Sequence, residues 1–345
     1  MHDDVTAGAL PADRSAVAPG AVRRRRLKLA LRIALSLACL ALLLGQVDGA
    51  AMLPLLRRLD PWWMVTALVV LTFDRVLQGA KWYPLLRVQT RRFGMREAIS
   101  ATIAAYPASI LLPSGASEVL RAVMLGKAHG NVAEIGASVA MERVLGQLAL
   151  FVANLAAVIA AYEVSHHVSD ALPAAIGTVL LGFALLGILF RTADRIPFPR
   201  STVRRALPLV RATKRFIAGL TGYRDHLATI GLVLLLSAIE VFVVGLAIWC
   251  CSNALGLALR LDMVMIATPI TLFLARIPLT IWGIGIAEGG FAFVLATLYG
   301  VAPTEAVAAS LTMRFVEICV ALPALVLWRH VGVSVRHAAS DAVGP

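Results

Sequence analysis

The sequence predicts an all-α fold, a polytopic helical membrane protein with about six spanning helices and two broken re-entrant hairpins arranged as an inverted repeat. Three observations predict it. Of the 345 residues, 59% are hydrophobic and only 15% are charged, where soluble domains carry about 25% charged residues. Apolar runs close to the ~20 residues of a spanning helix recur along the chain. The basic residues gather in blocks between those runs.

In chain order, residues 1–22 are weakly patterned, and "RRRRLK" (23–28) leads into the first apolar run. The run is long and no clear cleavage site follows it, so it is expected to remain as the first span. Residues 1–27 are expected to be a disordered basic cytoplasmic tail, 28–330 one integral membrane domain, and 331–345 a short cytoplasmic tail. The apolar runs at 29–47, 62–82, 134–162, 171–190, 227–253 and 303–328 are assigned as spans. Two regions, 97–128 and 263–300, are shorter and broken by glycine and proline. Each is either two short spans or one re-entrant hairpin.

Charge sets the expected orientation. The basic blocks are "RRRRLK", "LLRVQTRRFGMRE" (85–97) and "RTADRIPFPRSTVRRALPLVRATKRF" (191–216). The positive-inside rule puts all three in the cytoplasm. Both termini are then cytoplasmic and the protein is expected in the cell inner (cytoplasmic) membrane. Arg57 and Arg58 are the main exceptions, partly offset by Asp48 and Asp60. Within 191–226, Val203, Leu207, Val210, Phe216 and Ile217 alternate with Arg204, Arg205, Arg211, Lys214 and Arg215. This segment is either an amphipathic helix on the headgroups or a solvated loop.

The net charge of +12 fits anionic lipid headgroups rather than nucleic acid, because it sits in the loops of a membrane protein. Cys39, Cys250, Cys251 and Cys319 lie in apolar runs without metal or redox spacing. "EVSHHVSD" (163–170) offers His166, His167, Glu163 and Asp170, but adjacent histidines point apart, and no metal site is expected. Residues 283–290, "GIGIAEGG", lack the strand and βαβ unit that a dinucleotide fingerprint needs. No cofactor and no catalytic constellation are expected.

The two broken regions resemble each other. Each has an apolar entry, a proline, a small-residue break and a glutamate, Glu118 or Glu288. A short helix follows, ending at Gly126/Gly130 or at Gly300, and an acidic turn leads to a full helix carrying Arg143 or Arg314. The glutamate and arginine are 25 and 26 residues apart in the two cases. The charge-derived topology brings the first region in from the cytoplasm and the second from outside. Paired, Gly/Pro-broken segments in opposed halves point to a transport site near mid-bilayer, where half-helix starts favour anions.

The segments "PSGASEVLR" (113–121), "SVAMER" (138–143) and "GIGIAEGGF" (283–291), with "KWYPLL" at 81–86, resemble the lysylphosphatidylglycerol synthase transmembrane-region family. The resemblance spans roughly residues 30–330. Ser117 stands where that family's pattern has glycine, and Lys81 where it often has arginine. The resemblance implies movement of lipids or lipid-linked molecules between leaflets. It does not imply synthase activity, because the soluble aminoacyl-transfer domain of the fused members is not in this sequence.

The charged residues expected inside the bilayer are Asp74, Arg75, Glu118, Arg121, Glu142, Arg143, Glu240, Arg276, Glu288, Arg314 and Glu317. Such charges cost about 2.5–3.5 kcal/mol on insertion scales and face partners or water. One reading has arginines holding a lipid phosphate, whose oxygens match the guanidinium fork. The other is structural pairing, with Glu118–Arg121 and Arg314–Glu317 at i,i+3 spacing. The residues expected to bind substrate are Glu118, Arg121, Glu142, Arg143, Arg276, Glu288 and Arg314. The expected function is lipid transport by a non-enzyme. The alternatives are a membrane-embedded lipid-linked transferase and an accessory subunit of a lipid or glycan pathway. Expected partners are membrane lipids, with pathway enzymes or a second copy of the chain as further options.

Overall fold

The computed structural model describes residues 31–341 apart from 32, 44, 46–48, 112–114, 128–130, 165–170, 193–206 and 278–279. The described residues form helices and turns, with no strand among them. The helices are α1 (Ile33–Leu43), α2 (Gly49–Arg57), α3 (Pro61–Gln89), α4 (Met95–Leu111), α5 (Ala116–Lys127), α6 (Val132–Val164), α7 (Ala171–Thr192), α8 (Leu207–Thr221), α9 (Leu227–Ala254), α10 (Leu261–Ala275), α11 (Ile286–Tyr299) and α12 (Pro303–Asp341). Helices α3, α6, α7, α9 and the stretch Pro303–Leu325 of α12 are long and apolar enough to cross a membrane. They coincide with five of the six expected spans. The expected first span, 29–47, falls partly outside the described residues, and Ile33–Leu43 within it is helical. Helix α12 runs on to Asp341, through most of the expected C-terminal tail. The N-terminal tail and the 163–170 histidines lie outside the described residues.

Local chemistry explains the boundaries. Asp60 caps α3, its Oδ1 accepting from the Trp62 N–H at 2.8 Å, with Pro61 in the first turn. Helix α11 stops at Gly300, which takes the left-handed conformation (φ 65°) that terminates helices. The two broken regions each become a pair of short helices, α4–α5 and α10–α11, and each pair packs together. At ~1.5 Å per residue these four helices are roughly 18–25 Å long, below the ~30 Å of a hydrocarbon core.

The two long helices α3 and α9 form the most extensive helix contact and run antiparallel. The Asp60 N–H donates to the Ala254 carbonyl at 2.8 Å, joining the start of α3 to the end of α9. At the other end, the Gln89 amide donates to the Gly219 carbonyl at 2.7 Å and the Tyr223 hydroxyl to the Leu85 carbonyl at 2.8 Å. Helix α8 lies at this second end, packed on α6, with Phe216 and Leu220 in the apolar cluster there. Of the two readings, a helix forms over Leu207–Thr221, and its Phe216 and Leu220 meet protein, while Val203, Arg204 and Arg205 lie outside the described residues.

Two apolar cores result. One gathers Ala67 and Leu71 of α3, Val244 and Ile248 of α9, and residues of α10, α11 and α12. The other gathers Trp82 and Leu85 of α3, Ile230 and Val233 of α9, and residues of α4, α5 and α6. Between them, α3 carries Asp74, Arg75, Gln78 and Lys81, and α9 carries Ser237 and Glu240. The polar groups thus occupy the middle of the two central helices. The outer surfaces expose Phe73, Leu180, Leu235, Phe293 and Phe315, as lipid contact requires.

Candidate functional site: a charged cavity between two broken helix pairs

Both short helices that follow a break begin in the same way. Gly115 precedes α5 with φ 92°, and Gly285 precedes α11 with φ 84°. A positive φ is cheap only for glycine. Three residues on, in the first helical turn, stands the carboxylate, Glu118 in "GASE" and Glu288 in "GIAE". The Val119 N–H donates to Gly115 O at 3.1 Å, and the Gly289 N–H to Gly285 O at 3.0 Å. Negative charge there is favoured by the helix dipole.

Each glutamate then pairs with the arginine of the following long helix. Arg143 meets Glu118 at 2.6 Å, and Arg314 meets Glu288 at 2.7 Å. The two centres differ in how tightly they are held. Glu288 also accepts from the Gly285 N–H at 2.6 Å and is 2% exposed. Arg314 has a second carboxylate, Glu317 at 3.1 Å, and stacks over the Trp282 ring at 4.6 Å. Trp282 itself holds φ 54°, a conformation that costs a non-glycine residue about 1–3 kcal/mol. Glu118 instead accepts from the Ser117 hydroxyl at 3.0 Å, and the Arg143 side chain is 46% exposed. The first pair is therefore open and the second enclosed.

A second cluster ties the central helices together. Lys81 pairs with Glu240 of α9 and lies 3.6 Å from Glu142 of α6. Gln78 donates to Glu240 at 3.2 Å. Arg121 of α5 pairs with Glu142 and stacks over Trp82 at 4.7 Å, while Trp82 donates to the Ser138 hydroxyl at 3.0 Å. Asp74 pairs with Arg75, whose guanidinium lies 4.5 Å over the Tyr106 ring. Arg276 donates to Gln147 at 3.0 Å and has no carboxylate within ion-pairing distance among the described residues.

These groups enclose one hollow with two lobes. The larger, about 300 Å³, is lined by Glu118, Arg143, Arg276, Trp282, Glu288, Arg314 and Glu317, together with apolar Val244, Ile248, Leu272, Phe291 and Met313. The smaller, about 170 Å³, is lined almost wholly by polar side chains, including Arg75, Lys81, Tyr106, Arg121, Glu142 and Glu240. Gln78, Ser109, Ser117, Glu118, Arg143 and Arg276 border both.

The family model "Lysylphosphatidylglycerol synthase TM region" matches residues 29–324. The chain belongs to this family. No curated protein and no solved structure matches the chain. The family gives the chain a multi-pass membrane setting and a lipid-related role.

All seven residues singled out from the sequence of this family member border the hollow. The expected Glu118–Arg121 pair does not form. Successive residues on a helix point about 100° apart, so Glu142 and Arg143 of α6 face different groups on α5. Glu142 takes Arg121, and Arg143 takes Glu118. The expected Arg314–Glu317 pair does form. Lys81, Gln78, Tyr106 and Trp282 were not among the sequence-derived site residues. For two of them a signal existed, because Asp74, Gln78 and Lys81 recur at i, i+4 and i+7, one face of α3. Tyr106 and Trp282 carried none.

Proposed function

We propose that this protein moves a lipid or lipid-linked molecule between membrane leaflets, with the headgroup passing through the charged hollow and the chains remaining in the bilayer. One observation carries the reading: the glutamate of each broken helix pair meets the arginine of the following long helix, and both ion pairs border one cavity. On this reading the two helix pairs are re-entrant hairpins of an inverted repeat. Contacts at their ends support that. Helix α4 starts just past the α3 end that touches α8, and α5 leads to the α6 start, which also packs on α8. Tyr299, which ends α11, lies in an apolar cluster with Ile266 near the start of α10. Non-helical backbone at that depth needs a protein-lined or wet setting, which the hollow supplies.

Transport is favoured over catalysis because every carboxylate bordering the hollow is engaged by a cation. A carboxylate held by a nearby cation is a weaker base than a free one. Both termini and the basic segment 191–216 face the cytoplasm of the inner membrane, against anionic headgroups. The test is reconstitution into liposomes with dye-labelled lipids of several classes and a membrane-impermeant quencher. Protein-dependent loss of inner-leaflet dye is expected for at least one class. Inner-leaflet dye that stays protected for phospholipid, aminoacyl-lipid, hopanoid and polyprenyl-phosphate sugar alike would overturn the reading.

A further inference from the structure

Among the carboxylates in and around the hollow, Asp74 stands apart. Glu118, Glu142, Glu240 and Glu288 each have two partners, at least one of them a cation. Glu317 has Arg314, and its side chain is 18% exposed. Asp74 is 0% exposed in the middle of α3, and its one partner among the described residues is the adjacent Arg75. Its Oδ1 is buried without a hydrogen-bond partner, and so is Nε of Arg75. A buried carboxylate short of partners loses its charge by taking up a proton. Ionisable groups at this depth mark proton paths in membrane proteins. The charged groups around Asp74 come from every helix packed on this part of α3. Lys81 of α3 and Glu240 of α9 act on Asp74 itself. Tyr106 of α4 and Glu317 of α12 act on Arg75, and Arg314 of α12 acts on Tyr106. Glu142 of α6 is held by Lys81 and Arg121.

We propose that Asp74 is a proton-binding site, and that proton uptake there releases Arg75 to pair with Glu240 or Glu317 and so lets a proton gradient drive transport. The second half rests on the lipid-transport reading and adds its energy source. The step forms one O–H bond on the carboxylate, with a proton from solvent on one side, and breaks it to solvent on the other. Asp74 is off the wall of the hollow, which keeps other ions away from it. Arg75 and Gln78, one residue and one helical turn further on, border the smaller lobe. At ~30 Å³ per water, that lobe of about 170 Å³ has room for about six waters, and a proton needs a single one to reach the carboxyl. Once Asp74 is neutral, Arg75 has lost its one ion-pair partner among the described residues. Glu240 borders the smaller lobe and Glu317 the larger. By turning to either, Arg75 competes with the cation already there, Lys81 or Arg314. Protonation at one buried point thus reaches ion pairs on α3, α9 and α12. The coupling is reciprocal, so the arrangement of ion pairs that favours the proton is equally favoured by it.

The test is infrared difference spectroscopy on the full-length protein in liposomes, perfused at about pH 8 and then at about pH 5. Acidification should bring up one carbonyl-stretch band at the position of a carboxyl free of hydrogen bonds, as Oδ1 is. Asp74→Asn should lose the band, and Glu118→Gln should leave it in place. Asp74→Glu keeps a carboxyl beside Arg75 and should shift the band, which assigns it even if Asp74→Asn fails to fold. A band unmoved by both Asp74 variants, or no such band in the wild type, would overturn the site. The coupling is read in the same liposomes with the dye-labelled lipids of the transport assay and an imposed pH gradient. The gradient should change the transport rate severalfold in the wild type and leave Asp74→Asn unaffected. Wild-type transport that ignores the gradient would overturn the coupling. An intact Asp74 band without transport of any of the lipids would uphold the proton site and remove the transport reading instead.

Discussion

Arg143 and Arg314 hold matching positions, yet their surroundings give them different work. Arg314 has two carboxylates and an aromatic ring, and its partner Glu288 is nearly sealed. Arg143 has one carboxylate partner and is half exposed to the hollow. An exposed pair contributes about 0–1 kcal/mol, whereas removing one partner of a buried pair costs about 3–5 kcal/mol. Glu288→Gln should therefore destabilise the fold by about 3 kcal/mol and strip the Gly285 N–H of a charged acceptor. Glu118→Gln should cost less than about 1 kcal/mol. Thermal unfolding of the two purified variants checks the ranking. Arg143→Gln should abolish lipid transport in liposomes while leaving the melting temperature within a few degrees of wild type. Transport at the wild-type rate would mean that the open pair is not on the path of the headgroup.

At the scale of elements, the two breaks are built alike and loaded differently. A side chain at Gly285 would lie 2.5 Å from the Cys39 Cβ and 2.9 Å from its backbone, on top of a φ of 84°. At Gly115 the nearest atom is the Arg143 guanidinium, 3.5 Å away. Gly285→Ala therefore meets strain and a backbone clash, and should cost well over 2 kcal/mol. Gly115→Ala meets strain alone, about 1–2 kcal/mol. Melting temperatures in detergent should separate the two by several degrees. The period of the apolar runs made five spans legible from sequence, as did the breaks and the spacing of the glutamates and arginines. The pairing was less legible. Spacing within one helix suggested Glu118 with Arg121, but Arg121 turns to Glu142, a partner fixed by packing of α5 on α6. In the sequence, Lys81 stands at the end of the expected span 62–82, where nothing marks it as buried. It is buried because α3 extends to Gln89, carrying Lys81 between Glu142 and Glu240. Helix length and neighbouring helices decide such contacts, and neither is encoded at the residue itself.

The whole molecule has two ends that the contacts define without reference to a bilayer. One end holds the start of α3 and the end of α9, joined through Asp60 and Ala254. The other holds the end of α3, helix α8 and the start of α9, joined through Gln89, Gly219 and Tyr223. The basic residues are unequally divided between them. Arg87, Arg91, Arg92 and Arg96 lie at the second end, as do Lys214 and Arg215 of α8. At the first end stand Arg57 and Arg58, just before α3, and Arg260, which is paired with Asp262. On the proposed reading, the positive-inside rule puts the α8 end in the cytoplasm. This orientation makes a sharp expectation for single cysteines on a background without Cys39, Cys250, Cys251 and Cys319. Arg92 and Ala258 are both exposed and lie at opposite ends. Arg92→Cys should react with a membrane-impermeant maleimide only after the cells are opened, and Ala258→Cys should react in intact cells. The reverse pattern would turn the molecule over and exchange the leaflets proposed for the entry of each helix pair. Labelling of both positions from the same side would break more. It would separate the ends of α3 and α9 from the membrane normal, and the paired hairpins would no longer enter from opposite faces.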